Sequence, residues 1–129
     1  MAVTRQQKTR EAKGRILYGE LNAKVLQEQT PEFESAGYDV QQAIGRADLE
    51  AALRGGQFDV VVLGHTLTRD DRHHLPYMAK KADPDTKVLV LHASGRHHEV
   101  DLSLDSREGM DKVLRAVESL MESRMAVTV

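Results

Sequence analysis

The chain has 129 residues, no cysteine, and 18 lysines and arginines against 20 aspartates and glutamates, a formal net charge of -2. That length predicts one domain with a core large enough to need no staples, and the missing cysteine excludes disulfides, thiolate catalysis and thiolate-bound zinc. The balanced charge argues against wholesale nucleic-acid or membrane-surface binding, no apolar run approaches the roughly 18 residues of a membrane span, and the N-terminus lacks a signal-peptide core, so a cytoplasmic protein is expected.

Residues 1–14 are polar, with Arg5, Lys8, Arg10 and Lys13 spread along them. They read as a flexible basic N-terminal tail, with a basic arm touching an acidic partner as the alternative. Residues 15–124 then form the folded domain, and 125–129 a C-terminal tail. Arg15 to Tyr18 is a short apolar strand. Gly19 to Asn22 turns into a helix carrying Val25, Leu26 and Phe33, in which Pro31 predicts a kink or break near Thr30 because it has no N–H to donate. Gly37 ends that helix, and Tyr38 to Gln41 is a candidate edge strand. Asp48 to Arg54 places Leu49, Ala52 and Leu53 at helical spacing before Gly55 and Gly56 stop it.

The stretch FDVVVLGHTLTRDD, Phe58 to Asp71, organises the rest. Val60, Val61, Val62 and Leu63 follow one another without alternation, the pattern of a strand covered on both faces and therefore of a parallel sheet. Gly64 and His65 come next, at the strand end where such sheets place ligands. Over Asp70 to Ala82, Pro76 interrupts the helix formers, so only short helical turns are expected. Lys87 to Leu91 is a second fully apolar strand ending at His92, and Val100 to Leu104 a weaker one. Asp105 and Glu108 have the spacing of a capping box. The helix they open puts Met110, Val113, Leu114, Val117, Leu120 and Met121 on one stripe, opposite a mixed-charge face of Asp111, Lys112, Arg115, Glu118 and Ser119. Strands and helices thus alternate. That order requires right-handed crossovers and a mostly parallel sheet between two helical layers.

From Arg15 to Met121 the sequence resembles the receiver domain of two-component response regulators. RILYGELN stands where receivers have a strand ending in an acidic pair, ESAGYDV at the end of the first helix and start of the second strand, and FDVVVLG at the strand ending in the phosphorylated aspartate. VLVLHAS stands at the fourth strand with its switch residue, and DLSLDS at the fifth strand with its lysine. The resemblance implies a flavodoxin-like, three-layer doubly wound α/β sandwich with a five-stranded parallel sheet in the order 2-1-3-4-5. The family's helix between the fourth and fifth strands is expected to be short or absent, since few residues separate them.

Carried over position by position, the resemblance puts Glu20 and Leu21 at the acidic pair, Gly64 at the phosphoacceptor, His92 at the switch Ser/Thr and Asp105 at the lysine. Glycine has no nucleophile, so acyl-phosphate formation there is chemically impossible. Losing the lysine and one acid removes groups that stabilise transferred charge or hold magnesium. The expected protein is a phosphorylation-incompetent receiver-like module: no enzyme, no cofactor, no nucleic-acid or membrane partner, but another signalling protein, with a homodimer as a further option. The degenerate pocket comprises Glu20, Leu21, Gly64, His65, His92 and Asp105. A rival reading makes it a small-ligand or transition-metal sensor, with Glu20, His65, His92 and Asp105 as ligands. The adjacent pairs His73–His74 and His97–His98 point in different directions on any regular element and read as surface histidines.

Overall fold

The computed structural model describes residues 12–92 and 99–127. Its strands are β1 (Arg15–Glu20), β2 (Asp39–Ile44), β3 (Val60–Leu63), β4 (Lys87–Val90) and β5 (Leu102–Ser103), and its α-helices are α1 (Ala23–Ser35), α2 (Gly45–Gly55), α3 (Arg69–Ala82) and α4 (Met110–Val127). The sheet runs β2-β1-β3-β4-β5, every neighbouring pair parallel. This is the predicted three-layer α/β sandwich and strand order.

The unalternated apolar strands split their side chains between two cores. Ile16, Tyr18, Val60, Val62 and Leu89 face α1 and α4, where Leu26, Phe33, Val113, Val117 and Leu120 cover them. Leu17, Val61, Leu63, Val88 and Val90 face α2 and α3, against Leu49, Leu53, Leu75 and Ala79. Because the strand period is two, each strand needs apolar residues at consecutive positions to serve both layers. Tyr18 and Phe33 anchor the first core with ring centroids 5.1 Å apart and planes tilted by 58°, a geometry aromatic pairs favour.

Several boundaries differ from the sequence expectations for identifiable reasons. Pro31 does not break α1, which runs through it from Ala23 to Ser35. Leu26 and Phe33, on either side of the proline, are both buried, and the Thr30 hydroxyl donates to the Leu26 carbonyl at 2.6 Å. Pro76 likewise sits inside a continuous α3 whose N-cap, Thr68, accepts from the Asp71 N–H. Leu75, Pro76 and Ala79 are buried against the sheet, so packing overrides the missing donor. The capping box after Asp105 does not form. Asp105 instead accepts from the Arg107 N–H at 2.9 Å, residues Ser106–Glu108 make a 3-10 turn, and Gly109 at φ 101° separates that turn from α4. The left-handed backbone at this position suits glycine.

Helix α4 extends to Val127, into the segment 125–129 expected as a tail; no glycine or proline follows Met110 to stop it. At the other end Lys13 donates its N–H to the Gly37 carbonyl at 2.8 Å, and Gly14 accepts from Asp39 N–H at 3.0 Å. The chain is therefore tied to β2 just before β1 begins. Residues 1–11, and the segment 93–98 on which the expected short or absent fourth-to-fifth-strand helix and the pair His97–His98 fall, lie outside the described residues. Residues 91–92 and 99–101 beside it are not helical.

Candidate functional site

The register of β1 and β3 brings the two ends of the candidate site together. Gly19 pairs with Leu63, and the ladder continues one step further as Gly64 donates its N–H to the Gly19 carbonyl at 2.8 Å. Glu20 and Gly64 are consequently cross-strand neighbours at the carboxyl edge. By the two-residue period, Gly64 belongs with Val60 and Val62 on the face that also carries Tyr18 and Glu20.

Glu20 is fully buried, which a carboxylate tolerates only with good hydrogen bonding. Tyr18 donates its hydroxyl to Oε2 at 2.5 Å. Thr66 donates twice to Oε1, from its backbone N–H at 3.0 Å and its hydroxyl at 2.7 Å. The same hydroxyl accepts from the N–H groups of Leu21 at 2.9 Å and Asn22 at 3.1 Å. One threonine thus ties the loop after β3 to the loop after β1, and Asn22 passes the order on by capping α1. The Tyr18 phenol is pushed well above its ordinary value, first by burial and then by its hydrogen bond to Glu20 and the charge of that carboxylate. It remains a donor.

The carboxylate lies in space that the missing side chain of Gly64 leaves open. A Cβ added at Gly64 would lie 1.8 Å from Glu20 Cδ and 2.0 Å from each carboxylate oxygen. Glu20 therefore fills the volume that any side chain at position 64 would need. Beside it a small cleft of about 180 Å³ is lined by Tyr18, Glu20, His65, Leu91, Met110 and Val113, together with Gln29 and Gly109.

The remaining predicted residues gather at the same edge without forming one constellation. Leu21, at the second acidic place, is half exposed, at 50%. His65 is exposed on the cleft rim. His92 is half-buried, and its buried Nδ1 has no hydrogen-bond partner among the described residues. Asp105 is engaged by Arg107, whose Nη2 lies 2.6 Å from Oδ2. Hydrogen bonds from the Arg107 side chain and backbone, with smaller contributions from the Arg107 and His92 charges, lower the Asp105 carboxyl to about 2.

The four proposed metal ligands are not assembled: among the described residues no group of three or more histidines, aspartates and glutamates is placed to hold a metal ion. Both Glu20 oxygens are already committed to protein donors. His74 is not a free surface residue, since its Nε2 lies 3.4 Å from Glu50 Oε1 across the α2–α3 seam. Tyr18 and Thr66, central to the site, carry no sequence signature. A hydroxyl three residues beyond a strand end is common, and only the register shows it facing a carboxylate on another strand.

The sequence matches no protein-family model and no curated protein. Among solved structures it is similar to a CheY-like response regulator receiver domain protein from Methanospirillum hungatei, at 16% identity and a TM-score of 0.77, over 87% of this chain and 96% of that one. The response regulator TrrA from Thermotoga maritima, in complex with magnesium and a beryllium fluoride, matches at 18% identity and a TM-score of 0.72, over 82% and 97% of the two chains. A chain described as adenylate cyclase from Rhodopirellula baltica matches at 14% identity and a TM-score of 0.77, over 88% and 91%. At such identities the likeness speaks to fold and not to chemistry. The described strands, their order and these matches together give the chain the flavodoxin-like fold found in CheY-like receiver domains.

Proposed function

We propose that this chain is a pseudo-receiver: a phosphorylation-incompetent receiver-like domain that serves a bacterial, cytoplasmic signalling system by contacting another signalling protein, without catalysing a reaction. The observation that carries this reading is the fit between Gly64 and Glu20. An acyl phosphate needs a carboxylate nucleophile at the end of β3. Position 64 offers none, and its side-chain volume is taken by a carboxylate from β1.

The surroundings favour the same reading. Binding magnesium requires oxygen ligands free to face the ion, whereas both Glu20 oxygens accept hydrogen bonds from Tyr18 and Thr66 and the neighbouring residue is Leu21. The position aligned with the charge-neutralising lysine is Asp105, itself a carboxylate. Holding the loops after β1 and β3 together through Thr66 supplies by hydrogen bonds what a bound phosphoryl group and cation supply by charge. On this reading the surface does not depend on phosphorylation for its form. Function then rests on what that surface contacts.

The test is to incubate the protein with acetyl phosphate, and separately with beryllofluoride, in the presence of magnesium. Intact mass and amide NMR spectra are expected to stay unchanged. A phosphoryl adduct, or beryllofluoride-dependent shifts centred on Gly64 and His65, would refute the reading.

A further inference from the structure

The outer face of α3 carries an exposed stripe of basic and aromatic side chains. Arg69, His73, Tyr77 and Lys81 recur every fourth residue, which places them along one helix face, and all four are exposed. From the first to the last the stripe spans about 18 Å at the helical rise of about 1.5 Å per residue. Tyr77 is 50% exposed. The side chains of Arg69, Tyr77 and Lys81 make no hydrogen bond or ion pair with any described residue. Arg69 stands in the first turn of α3, where a positive charge opposes the helix dipole. Helix stability therefore does not explain it.

A groove opens beside this stripe toward α2, lined by Arg46, Arg69, Asp70, His73 and His74. Its cations are partly committed: Arg46 reaches Glu50 at 3.2 Å and Asp71 at 3.9 Å. The four stripe residues include no acid, and the one exposed carboxylate of α3 beside them is Asp70, in the first turn on the groove side. Arginine and tyrosine are the side chains that most often dominate binding energy at protein interfaces, and here they occur together with a lysine on a rigid helix.

We propose that this face of α3 is the docking surface for an acidic segment of a protein partner, its carboxylates meeting Arg69 and Lys81 and an apolar residue covering Tyr77. The proposal rests on the pseudo-receiver reading and names the surface through which that module works. A protein segment suits the face better than a nucleic acid does. Asp70 at the groove, Asp83 just beyond α3 and the chain's overall charge of -2 would repel a continuous polyanion, whereas discrete carboxylates can be spaced to avoid them.

The test uses the full chain and a fluorescein-labelled helical peptide carrying glutamate at every fourth position around a central leucine, read by fluorescence anisotropy. Saturable binding is expected. Arg69→Glu/Lys81→Glu should weaken it about tenfold or more and Tyr77→Ala about fivefold. The neutral pair Arg69→Gln/Lys81→Gln should fall between the wild type and the reversal. Lys24→Glu/Lys112→Glu, which reverses exposed cations on the opposite helical layer, should change affinity less than about twofold. Absence of binding, equal losses in the control pair, or tighter binding of a single-stranded DNA oligomer that the same α3 variants abolish would overturn the proposal. Each of these results leaves the acetyl phosphate test untouched, so the two readings can fail separately.

Discussion

Replacing Gly64 by alanine probes the contact on which the site is built. The new Cβ would sit 1.8 Å from Glu20 Cδ, far inside any permitted separation, so one of the two groups must leave. Backbone at 64 is held by the N–H to Gly19 carbonyl bond of 2.8 Å, while the carboxylate is the end of a flexible side chain. Glu20 therefore swings away. The cost is then its three hydrogen bonds, from Tyr18 and twice from Thr66, and the buried Tyr18 hydroxyl left without an acceptor. An orphaned buried donor costs about 1–3 kcal/mol, and bonds to a charged group are worth about 1.5–3 kcal/mol each before the recovered hydration of the freed carboxylate is subtracted. The net expectation is a loss of about 2–3 kcal/mol.

Urea unfolding followed by far-ultraviolet circular dichroism measures it. With a slope of about 2 kcal/mol per molar the midpoint should fall by about 1–1.5 M. The sharper measurement is a double-mutant cycle. Glu20→Ala alone should also destabilise, by leaving Tyr18 and Thr66 unpaired and a void behind, but once Glu20 is shortened the added methyl at 64 meets no carboxylate. Glu20→Ala/Gly64→Ala should therefore be more stable than the sum of the single losses by about 1–3 kcal/mol, in the upper part of the range of about 0.5–3 kcal/mol found for residues in direct contact. Strict additivity, or a Gly64→Ala protein with an unchanged midpoint, would refute the claim that Glu20 occupies the volume beside Gly64.

Two further outcomes follow from the titrating groups. Because the Tyr18 phenol is raised in the folded state, the unfolded chain releases its proton first. The stability it contributes is whole below the ordinary tyrosine value of about 10 and is lost as pH rises above it. Urea midpoints above that pH should fall less steeply in Tyr18→Phe than in the wild type, and a parallel decline in both would contradict the assignment. Asp105 is shifted the other way, to about 2, so its contribution is present above the ordinary aspartate value and lost as pH falls through about 2. A carboxyl NMR titration should place its midpoint there, and Arg107→Ala should return it toward the ordinary value; an unmoved midpoint would show that Arg107 is not the cause.

The parts of the fold that were legible are those written in local pattern. VVVL and KVLV announce doubly covered strands because they do not alternate, and the Met110-to-Met121 stripe announces a helix on a sheet because its apolar residues recur with helical period. The two prolines misled for the converse reason. Pro31 and Pro76 are local signals against a helix, and each is outvoted by buried neighbours, Leu26 and Phe33 for one and Leu75 and Ala79 for the other, whose packing no local rule includes. The Asp105 capping box failed similarly, since Arg107 competes for the carboxylate.

By itself, the sequence determined the layer architecture and which residues stand at the carboxyl edge, Gly64 above all, because strand period and burial pattern are properties of consecutive residues. Tertiary structure alone decided what that edge does with them. Glu20 is an unremarked acid until the parallel register of β1 and β3 sets it beside Gly64, and Tyr18 and Thr66 acquire roles only as the donors that make its burial affordable. A missing side chain on one strand is filled by a carboxylate from the next. That complementarity is a property of two segments distant in the chain, and only their pairing in the sheet creates it.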